Sequence, residues 1–151
     1  MGTLSEILAR AQQRAKDKGL DYEGALTPGE AWKVLLLAPA AKLVDVRSRP
    51  ELDLVGHIPE ACHIEWAFYP EWKPNPDFMP QLKMQIDAES LVMFICRTGG
   101  RSHHAANAAH KVGYNEVYNV LEGFEGETDT QNAQRGGING WKAAGLPWTN
   151  V

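Results

Sequence analysis

Short apolar segments alternate with helix-like segments along this chain, and this alternation restricts its fold more than any other feature. Four segments have the length and composition of buried strands: KLVDV (42–46), ACHIE (61–65), LVMFIC (91–96) and NEVYNVL (115–121). Strands that alternate with helices favour a mainly parallel sheet with helices on both faces. We therefore predict an α/β fold with a mainly parallel sheet of four to five strands.

Capping signals indicate where the helices begin. Residues 3–6 (TLSE) and 27–30 (TPGE) both match the capping box, in which a Thr side chain and a Glu three residues later bind the first backbone N–H groups. The first box opens a helix up to Gly19, and the second opens AWKVLLLA (31–38). Two further helices are predicted: DFMPQLKMQI (77–86), and a helix capped by Ser102 that runs to Lys111.

The length and charge of the chain exclude several classes of protein. The 151 residues suit a single domain. No apolar stretch approaches the roughly 18 residues of a membrane span, and the charged N-terminus lacks the apolar core of a signal peptide. We therefore expect a cytoplasmic protein that does not act at a membrane. A net charge of -4 argues against nucleic acid as a partner but leaves room for a small cationic site.

The stretch FICRTGGRSHHAA (94–106) places a thiol at the end of the strongest predicted strand. In sheets of this kind, ligands bind outside the carboxyl ends of the strands. Gly99 and Gly100 allow backbone N–H groups to point inward as an anion-binding nest, and the following helix adds the positive end of its dipole. Arg97 and Arg101 add two full charges. Each of these groups favours the thiolate form of Cys96 over the thiol.

A stabilised thiolate in a cationic cup can attack an electrophile that is attached to an anion. Two such electrophiles are common: the phosphorus of a phosphate ester and the outer, sulfane sulfur of thiosulfate. The alternative is an inert buried cysteine before a Gly-Gly turn, which is the usual state of a lone cysteine. The occurrence of Cys, two Arg, two Gly and a Ser within seven residues favours the reactive thiol.

Three ordered motifs resemble the rhodanese-like family of sulfurtransferases. Residues 96–101 (CRTGGR) resemble its active-site loop, C-R-x-G-x-R. Residues 43–61, with LVDVR, then Glu51, then GHIPEA, resemble its D-V-R…E…G-H-I-P-G-A stretch, with Glu60 in place of the usual Gly. Residues 120–147 resemble its L-E-G…G-x-x-x-W region, with 124–136 as an insertion. The resemblance implies a rhodanese-like domain over residues 25–151, preceded by a helical extension at 1–24.

The resemblance also implies a mechanism, in which Cys96 takes the outer sulfur of a donor as a persulfide and passes it to an acceptor. The donor would be a small anion such as thiosulfate, and the acceptor a thiol, cyanide or a sulfur-accepting protein, with no cofactor. Cys96 would be the catalytic residue, and Asp45 and Arg47 would support the loop, although a purely structural pair is an equal alternative. The predicted substrate-binding residues are Arg97, Thr98, Gly99, Gly100, Arg101 and Ser102.

Two other functions stay open. One is a sulfur-relay or interaction module, which receives a persulfide from a partner protein and hands it on without turning over thiosulfate. A Cys-dependent phosphatase or arsenate reductase is a remote alternative, because such phosphatases use C-x5-R. Here the sixth position after Cys96 is Ser102, and the shorter cup is expected to be too tight for a phosphoryl group.

The remaining reactive and aromatic side chains give weaker signals. His103, His104 and His110 have no adjacent carboxylate or cysteine, so we predict no metal site. Cys62 is better read as a small buried residue than as a resolving thiol. A cluster of aromatic residues forms either an apolar wall beside the cup or ordinary packing: Trp66, Phe68, Tyr69 and Trp72. The insertion either shapes access for the acceptor or is a solvated loop.

Overall fold

The computed structural model of the protein describes residues 3–126 and 140–149. The helices within this part are α1 (Leu4–Lys18), α2 (Pro28–Leu37), α3 (Arg49–Val55), α4 (Phe78–Gln85) and α5 (Gly100–Lys111). The strands are β1 (Gly24–Leu26), β2 (Lys42–Asp45), β3 (Cys62–His63), β4 (Ala67–Phe68), β5 (Lys73–Pro74), β6 (Leu91–Ile95) and β7 (Glu116–Val120).

Five of these strands form one parallel sheet in the order β1-β7-β6-β2-β3, which confirms the predicted sheet. The strand β6 lies at its centre, where Met93 pairs with Leu43 on one side and with Tyr118 on the other. The strands β4 and β5 form a separate antiparallel hairpin. Because all five sheet strands run the same way, their carboxyl ends meet at one edge, and Cys96 lies at the middle of that edge.

The sheet is covered on both faces, as predicted. Val92, Phe94 and Cys96 point into a core formed with α4 and α5, whereas Met93 and Ile95 point into a second core formed with α1 and α2. Alternate side chains of a strand point to opposite faces, so β6 is buried on both. Packing on both faces of β6 therefore fixes the position of Cys96, the first residue after the strand.

The helix α1 shares the second core with the sheet. Ile7 and Ala11 are fully buried there, and Arg14 binds Glu30 of α2 at 2.6 Å and the carbonyl of Ala25 at 2.9 Å. These contacts tie the first 24 residues to the rest of the domain. The boundary that we placed after residue 24 stays a prediction.

Two of the three predicted helix caps, Thr3 and Thr27, are confirmed, and the third, Ser102, is wrong. Thr27 and Glu30 form the complete capping box of α2, and Thr3 caps α1 by accepting the N–H of Glu6. Ser102, however, does not cap α5. The cap is Gly99, whose φ of +107° is available to glycine at little cost, so the helix begins at Gly100 and Ser102 lies inside its first turn.

Candidate active site

The sulfur of Cys96 lies at the floor of the loop that joins β6 to α5. The backbone N–H of Gly99 donates to Sγ at 3.1 Å, and the Ser102 hydroxyl oxygen lies 3.3 Å from it. The Cys96 residue is only 1% exposed, whereas Arg97, Thr98 and Gly100 form an exposed rim. The loop therefore brings one backbone N–H and one hydroxyl to the sulfur. The anion-binding nest expected from Gly99 and Gly100 stays a prediction.

The opposite side of the loop is held by the turn that follows β7. The N–H of Phe124 donates to the carbonyl of Cys96 at 2.8 Å, and the N–H of Glu125 donates to that of Arg97 at 3.0 Å. Gly123 lies so close that a Cβ on it would be 2.5 Å from the Arg97 oxygen and 2.6 Å from the Cys96 oxygen. Both carbonyls are thus directed at the turn after β7, which holds the start of the loop in place.

Arg101 forms an ion pair with Glu51, which our sequence analysis named only as part of a motif. Its two terminal nitrogens bind the two oxygens of Glu51 at 2.7 Å each, and its guanidinium lies 4.9 Å from the ring centre of Trp72. Burial alone would raise the pKa of Glu51, but hydrogen bonds from Arg101 and from the Ser48 N–H lower it to about 2. The carboxylate is therefore ionised throughout the neutral range.

Arg101 is likewise held in its charged form. Burial alone would lower its pKa, but the hydrogen bond and charge of Glu51 raise it, with smaller contributions from the charges of Cys96 and Asp45. Arg97, the other predicted anion-binding arginine, is exposed and makes no side-chain hydrogen bond or ion pair with any residue that the structure describes. Arg101 is therefore held in place by Glu51, whereas the Arg97 side chain is available to bind an anion.

Asp45 and Arg47 form a buried ion pair, 1% and 0% exposed, with an N–O distance of 2.7 Å. Arg47 also donates to the carbonyl of Gly56 at 2.9 Å, and its guanidinium lies 4.1 Å from the ring centre of Phe124. Phe124 is the residue whose N–H holds the Cys96 carbonyl. The pair therefore reaches the loop through Phe124, and its predicted supporting role stays a prediction.

A buried polar group that our sequence analysis missed lies behind the sulfur. Asn119 of β7 is 4% exposed, and its side-chain oxygen lies 2.6 Å from the hydroxyl of Ser102. Its position in NEVYNVL reads as one polar residue in a partly alternating strand. The available signal was its place near the carboxyl end of β7, the strand adjacent to β6, because ligands bind outside that end of such strands.

The aromatic cluster is divided between the two predicted roles. Trp66 packs edge-on against Phe78, with ring centres 4.9 Å apart, and is part of the core. Trp72 contacts Arg101, whereas Phe68 and Tyr69 of the same hairpin region are 41% and 56% exposed. Trp72 is thus the aromatic residue whose ring faces the guanidinium of a predicted loop residue, Arg101.

Cys62 is separated from Cys96 by an intervening strand. Cys62 pairs with Val44, and Val44 pairs with Phe94 on the far side. Adjacent strands lie about 4.8 Å apart, so two spacings place the backbone of Cys62 roughly 10 Å from that of Phe94, and Cys96 lies two residues further along the chain. A disulfide needs Cα atoms within about 7 Å. This geometry argues against Cys62 as a resolving thiol.

The insertion emerges beside the loop, although most of it lies outside the described residues. Its described start is Phe124–Gly126, and the N–H groups of Trp141 and Lys142 donate to the carbonyls of Gly123 and Phe124. Residues 141 and 142 therefore lie next to the turn that holds Cys96. The rest of the insertion, 127–136, and the motif residues 137–139 lie outside the described part, so its predicted role in access for the acceptor stays a prediction.

Other features of the described residues lie away from the sulfur. His103 binds Tyr22, and across residues 3–126 and 140–149 no three His, Cys, Asp or Glu side chains are grouped so that they could hold a metal ion. No helix in this part is long and apolar enough to cross a membrane. A cavity of about 440 Å³ lies between α3 and β3, lined by residues that include Asp45, His57 and His63 but not Cys96.

Comparisons with known proteins give a consistent result. The rhodanese-like domain model matches residues 27–129. The crystal structure of Rv0390 from M. tuberculosis is 39% identical, with a TM-score of 0.79, and the match covers 87% of this chain and 100% of that one. An uncharacterised protein of Rickettsia rickettsii is 35% identical over 121 residues, 79% of this chain and 91% of the relative. The thiosulfate sulfurtransferase GlpE of Tolumonas auensis is 33% identical over 92 residues, 61% of this chain and 76% of that protein.

Proposed function

Since this chain belongs to the rhodanese-like family, we propose that it is a sulfurtransferase that moves a sulfane sulfur from thiosulfate, or from another persulfide donor, to a thiophilic acceptor. The sulfur would travel as a persulfide on Cys96. The observation that carries this proposal is the N–H of Gly99 aimed at Sγ, 3.1 Å away, at the carboxyl end of the central strand. The relative from Tolumonas auensis that bears the name thiosulfate sulfurtransferase supports the choice of donor.

The reaction balances without a cofactor. The Cys96 thiolate attacks the outer sulfur of thiosulfate, a new S–S bond forms, and the donor S–S bond breaks as its electron pair leaves with sulfite. Cyanide or a thiolate acceptor then attacks the terminal sulfur, which leaves as thiocyanate or as the acceptor's persulfide and regenerates the Cys96 thiolate. The N–H groups of the loop stabilise the anionic sulfur at each stage.

The two arginines have different roles in this proposal. Arg97 lies on the exposed rim and binds the sulfonate oxygens of the incoming anion. Arg101 is held by Glu51 and contributes its charge from a fixed position. Thr98, Gly99, Gly100 and Ser102 complete the wall of the cup. A thiolate that must stay reduced suits the cytoplasm, where we place the activity.

The test is an assay of thiocyanate production from thiosulfate and cyanide. We expect turnover by the wild-type protein, none by Cys96→Ser, and wild-type turnover by Cys62→Ser as the matched control. The mass of the wild-type protein after exposure to thiosulfate alone should increase by one sulfur atom, localised to Cys96. Turnover that survives Cys96→Ser would contradict the proposal.

A sulfur-relay module is the second candidate, and one observation favours it. Phe68 and Tyr69 are exposed on the side of Trp72, which stacks on Arg101, so a protein surface can pack beside the loop. A relay would form the Cys96 persulfide once per protein molecule without catalytic production of thiocyanate. The same assay therefore separates the two functions.

A further inference from the structure

We propose that Asn119 is a positioning residue for Cys96. In this proposal its side-chain oxygen holds the Ser102 hydroxyl proton away from the sulfur while Cys96 is a thiol, and the hydroxyl turns to the sulfur when the thiolate forms. The inference rests on the proposed function only in taking Cys96 as the reacting thiol. It adds a group on β7 that regulates when this thiol becomes an anion.

The Ser102 hydroxyl has one proton and three neighbouring acceptors. Its oxygen lies 2.6 Å from Asn119 Oδ1, 3.1 Å from the Gly99 carbonyl and 3.3 Å from Cys96 Sγ. An O–H···O distance of 2.6 Å is at the short end of the usual range, so the bond to Asn119 is the strongest of the three. While it persists, the Ser102 proton is directed to Asn119, and the 3.3 Å contact with Cys96 Sγ is the weaker one.

The orientation of the Asn119 amide is set by its other contacts. Its Nδ2 donates to the carbonyl of Gly99 at 3.3 Å. With the amide nitrogen on the Gly99 carbonyl, the amide oxygen faces the Ser102 hydroxyl.

The contacts around Ser102 form one buried network. Its hydroxyl contacts both Cys96 Sγ and Asn119 Oδ1, and Asn119 Nδ2 donates to the carbonyl of Gly99. Farther from the sulfur, the hydroxyl of Tyr22, which is 2% exposed, lies 2.8 Å from Nδ1 of His103. Hydrogen bonds of a buried network strengthen one another, so a change at Asn119 should be felt at Ser102.

Two kinds of donor therefore serve the sulfur. The N–H of Gly99 donates to Sγ, whereas in this proposal the Ser102 hydroxyl becomes a full donor to the sulfur only after it leaves Asn119. Loss of the Cys96 proton to solvent would then include the cost of breaking the 2.6 Å bond. Removing the Asn119 acceptor should therefore make the thiolate easier to form.

Several charged and titratable groups also face this region and are unchanged in the test. On α5 and α3 these are Arg101 and its partner Glu51, and Arg101 is close enough to sense the charges of Cys96 and Asp45. The others are the buried ion pair of Arg47 and Asp45, the exposed Arg97 on the rim, and the pair formed by Tyr22 and His103.

The test is the pH profile of alkylation of Cys96 by iodoacetamide, measured from about pH 5 to about pH 10 in the full-length protein carrying Cys62→Ala. Asn119→Leu removes the acceptor and should lower the midpoint by about half a pH unit, the size of one hydrogen bond. Asn119→Asp keeps an acceptor oxygen and adds a negative charge, so it should raise the midpoint. Asn115→Leu, at an exposed position just before β7, is the matched control and should leave the profile unchanged.

Adding Ser102→Ala identifies the route of the effect. In that background Asn119→Leu should no longer shift the midpoint, because no hydroxyl remains to be released. A midpoint that Asn119→Leu leaves unchanged or raises, or a downward shift that survives Ser102→Ala, overturns the proposal. If Asn119→Leu does not fold, as judged by thermal unfolding, Asn119→Asp decides: an upward shift that Ser102→Ala reduces supports the proposal, and any other result overturns it.

The readout is independent of sulfur transfer. Alkylation reports the thiolate whether or not the protein turns over thiosulfate. A protein without thiocyanate production but with the predicted shifts would refute the proposed function and keep the role of Asn119. The reverse result would refute the role of Asn119 alone.

Discussion

Glu51 and Arg101 are joined by two hydrogen bonds of 2.7 Å, one to each carboxylate oxygen. Glu51 lies in the first turn of α3, which follows β2, and Arg101 in the first turn of α5, which follows β6. The ion pair therefore links two helix starts at the carboxyl edge of the sheet. Because Glu51 also accepts from Ser48, the pair is anchored to α3 at both the side chain and the backbone.

Removing the carboxylate charge should destabilise the protein. Glu51→Gln leaves a mostly buried Arg101 without its charged partner, and we expect the free energy of unfolding to fall by about 1–3 kcal/mol, the range for a hydrogen bond to a charged group. Urea unfolding at neutral pH measures the change. Glu71→Gln, at an exposed position in the aromatic hairpin region, is the control and should have no effect. A Glu51→Gln protein as stable as the wild type would contradict this role for the pair.

The same carboxylate predicts a pH dependence of stability. The pKa of Glu51 is lowered in the folded protein to about 2, so its contribution is complete above its ordinary pKa of about 4.3 and is lost as the pH falls toward 2. The stability difference between wild type and Glu51→Gln should therefore be constant at neutral pH and shrink below about pH 4. Urea unfolding repeated along this series checks the prediction, and a difference that stays constant in acid would refute it.

A methyl group at Gly123 should disturb the active-site loop. Its Cβ would lie 2.5 Å from the Arg97 carbonyl, and the residue has a φ of +69°. Gly145 has a similar φ of +74° with no atom within 4 Å of its Cβ position, so Gly145→Ala tests backbone strain alone. We expect Gly145→Ala to lose about 1–2 kcal/mol of stability with thiocyanate production intact. Gly123→Ala should lose that activity as well, and equal activity in the two variants would exclude a role for the close approach.

Cys62 should be dispensable for sulfur transfer. It lies two strands from Cys96, beyond the reach of a disulfide. We expect Cys62→Ala to form the Cys96 persulfide and to keep wild-type turnover. Non-reducing mass spectrometry of the oxidised wild-type protein should find no Cys62–Cys96 linkage, and the detection of one would show that the sheet rearranges.

The N-terminal helix should be essential for stability. Ile7 is fully buried among core residues, so Ile7→Ala is expected to lower the free energy of unfolding by about 2–5 kcal/mol. Leu54→Ala removes a side chain that is 83% exposed and should change stability by less than about 0.5 kcal/mol. A small effect of Ile7→Ala would support a loosely attached extension over residues 1–24.

The sequence was informative where local rules act alone. Five apolar residues ending at Ile95, followed by Cys, Gly-Gly and two Arg, predicted a buried strand and a loop of donors around a thiol. The complete capping box at Thr27 and Glu30 predicted the start of α2. These features depend on residues within a few positions of one another, so a single chain segment is enough to reveal them.

The features that the sequence did not predict depend on distant partners or on a few residues. The strand β1 has three residues and exists through its pairing with β7, which is too short a span for periodicity to appear. Ser102 was predicted as a helix cap, but the positive φ of Gly99 starts α5 earlier and turns the hydroxyl inward. Asn119 and Ser102 are 17 positions apart, and nothing in either segment indicates their contact.

The carbonyls of Cys96 and Arg97 are bound from outside by the N–H groups of residues 124 and 125. The entropic cost of ordering the loop is therefore met when the protein folds, and the loop already has its binding shape before a sulfur donor enters. The affinity for the donor is therefore not reduced by a cost of ordering the loop on binding. Preorganisation of this kind also means that sequence changes in the 123–125 segment, which no donor need ever touch, can weaken capture of the donor.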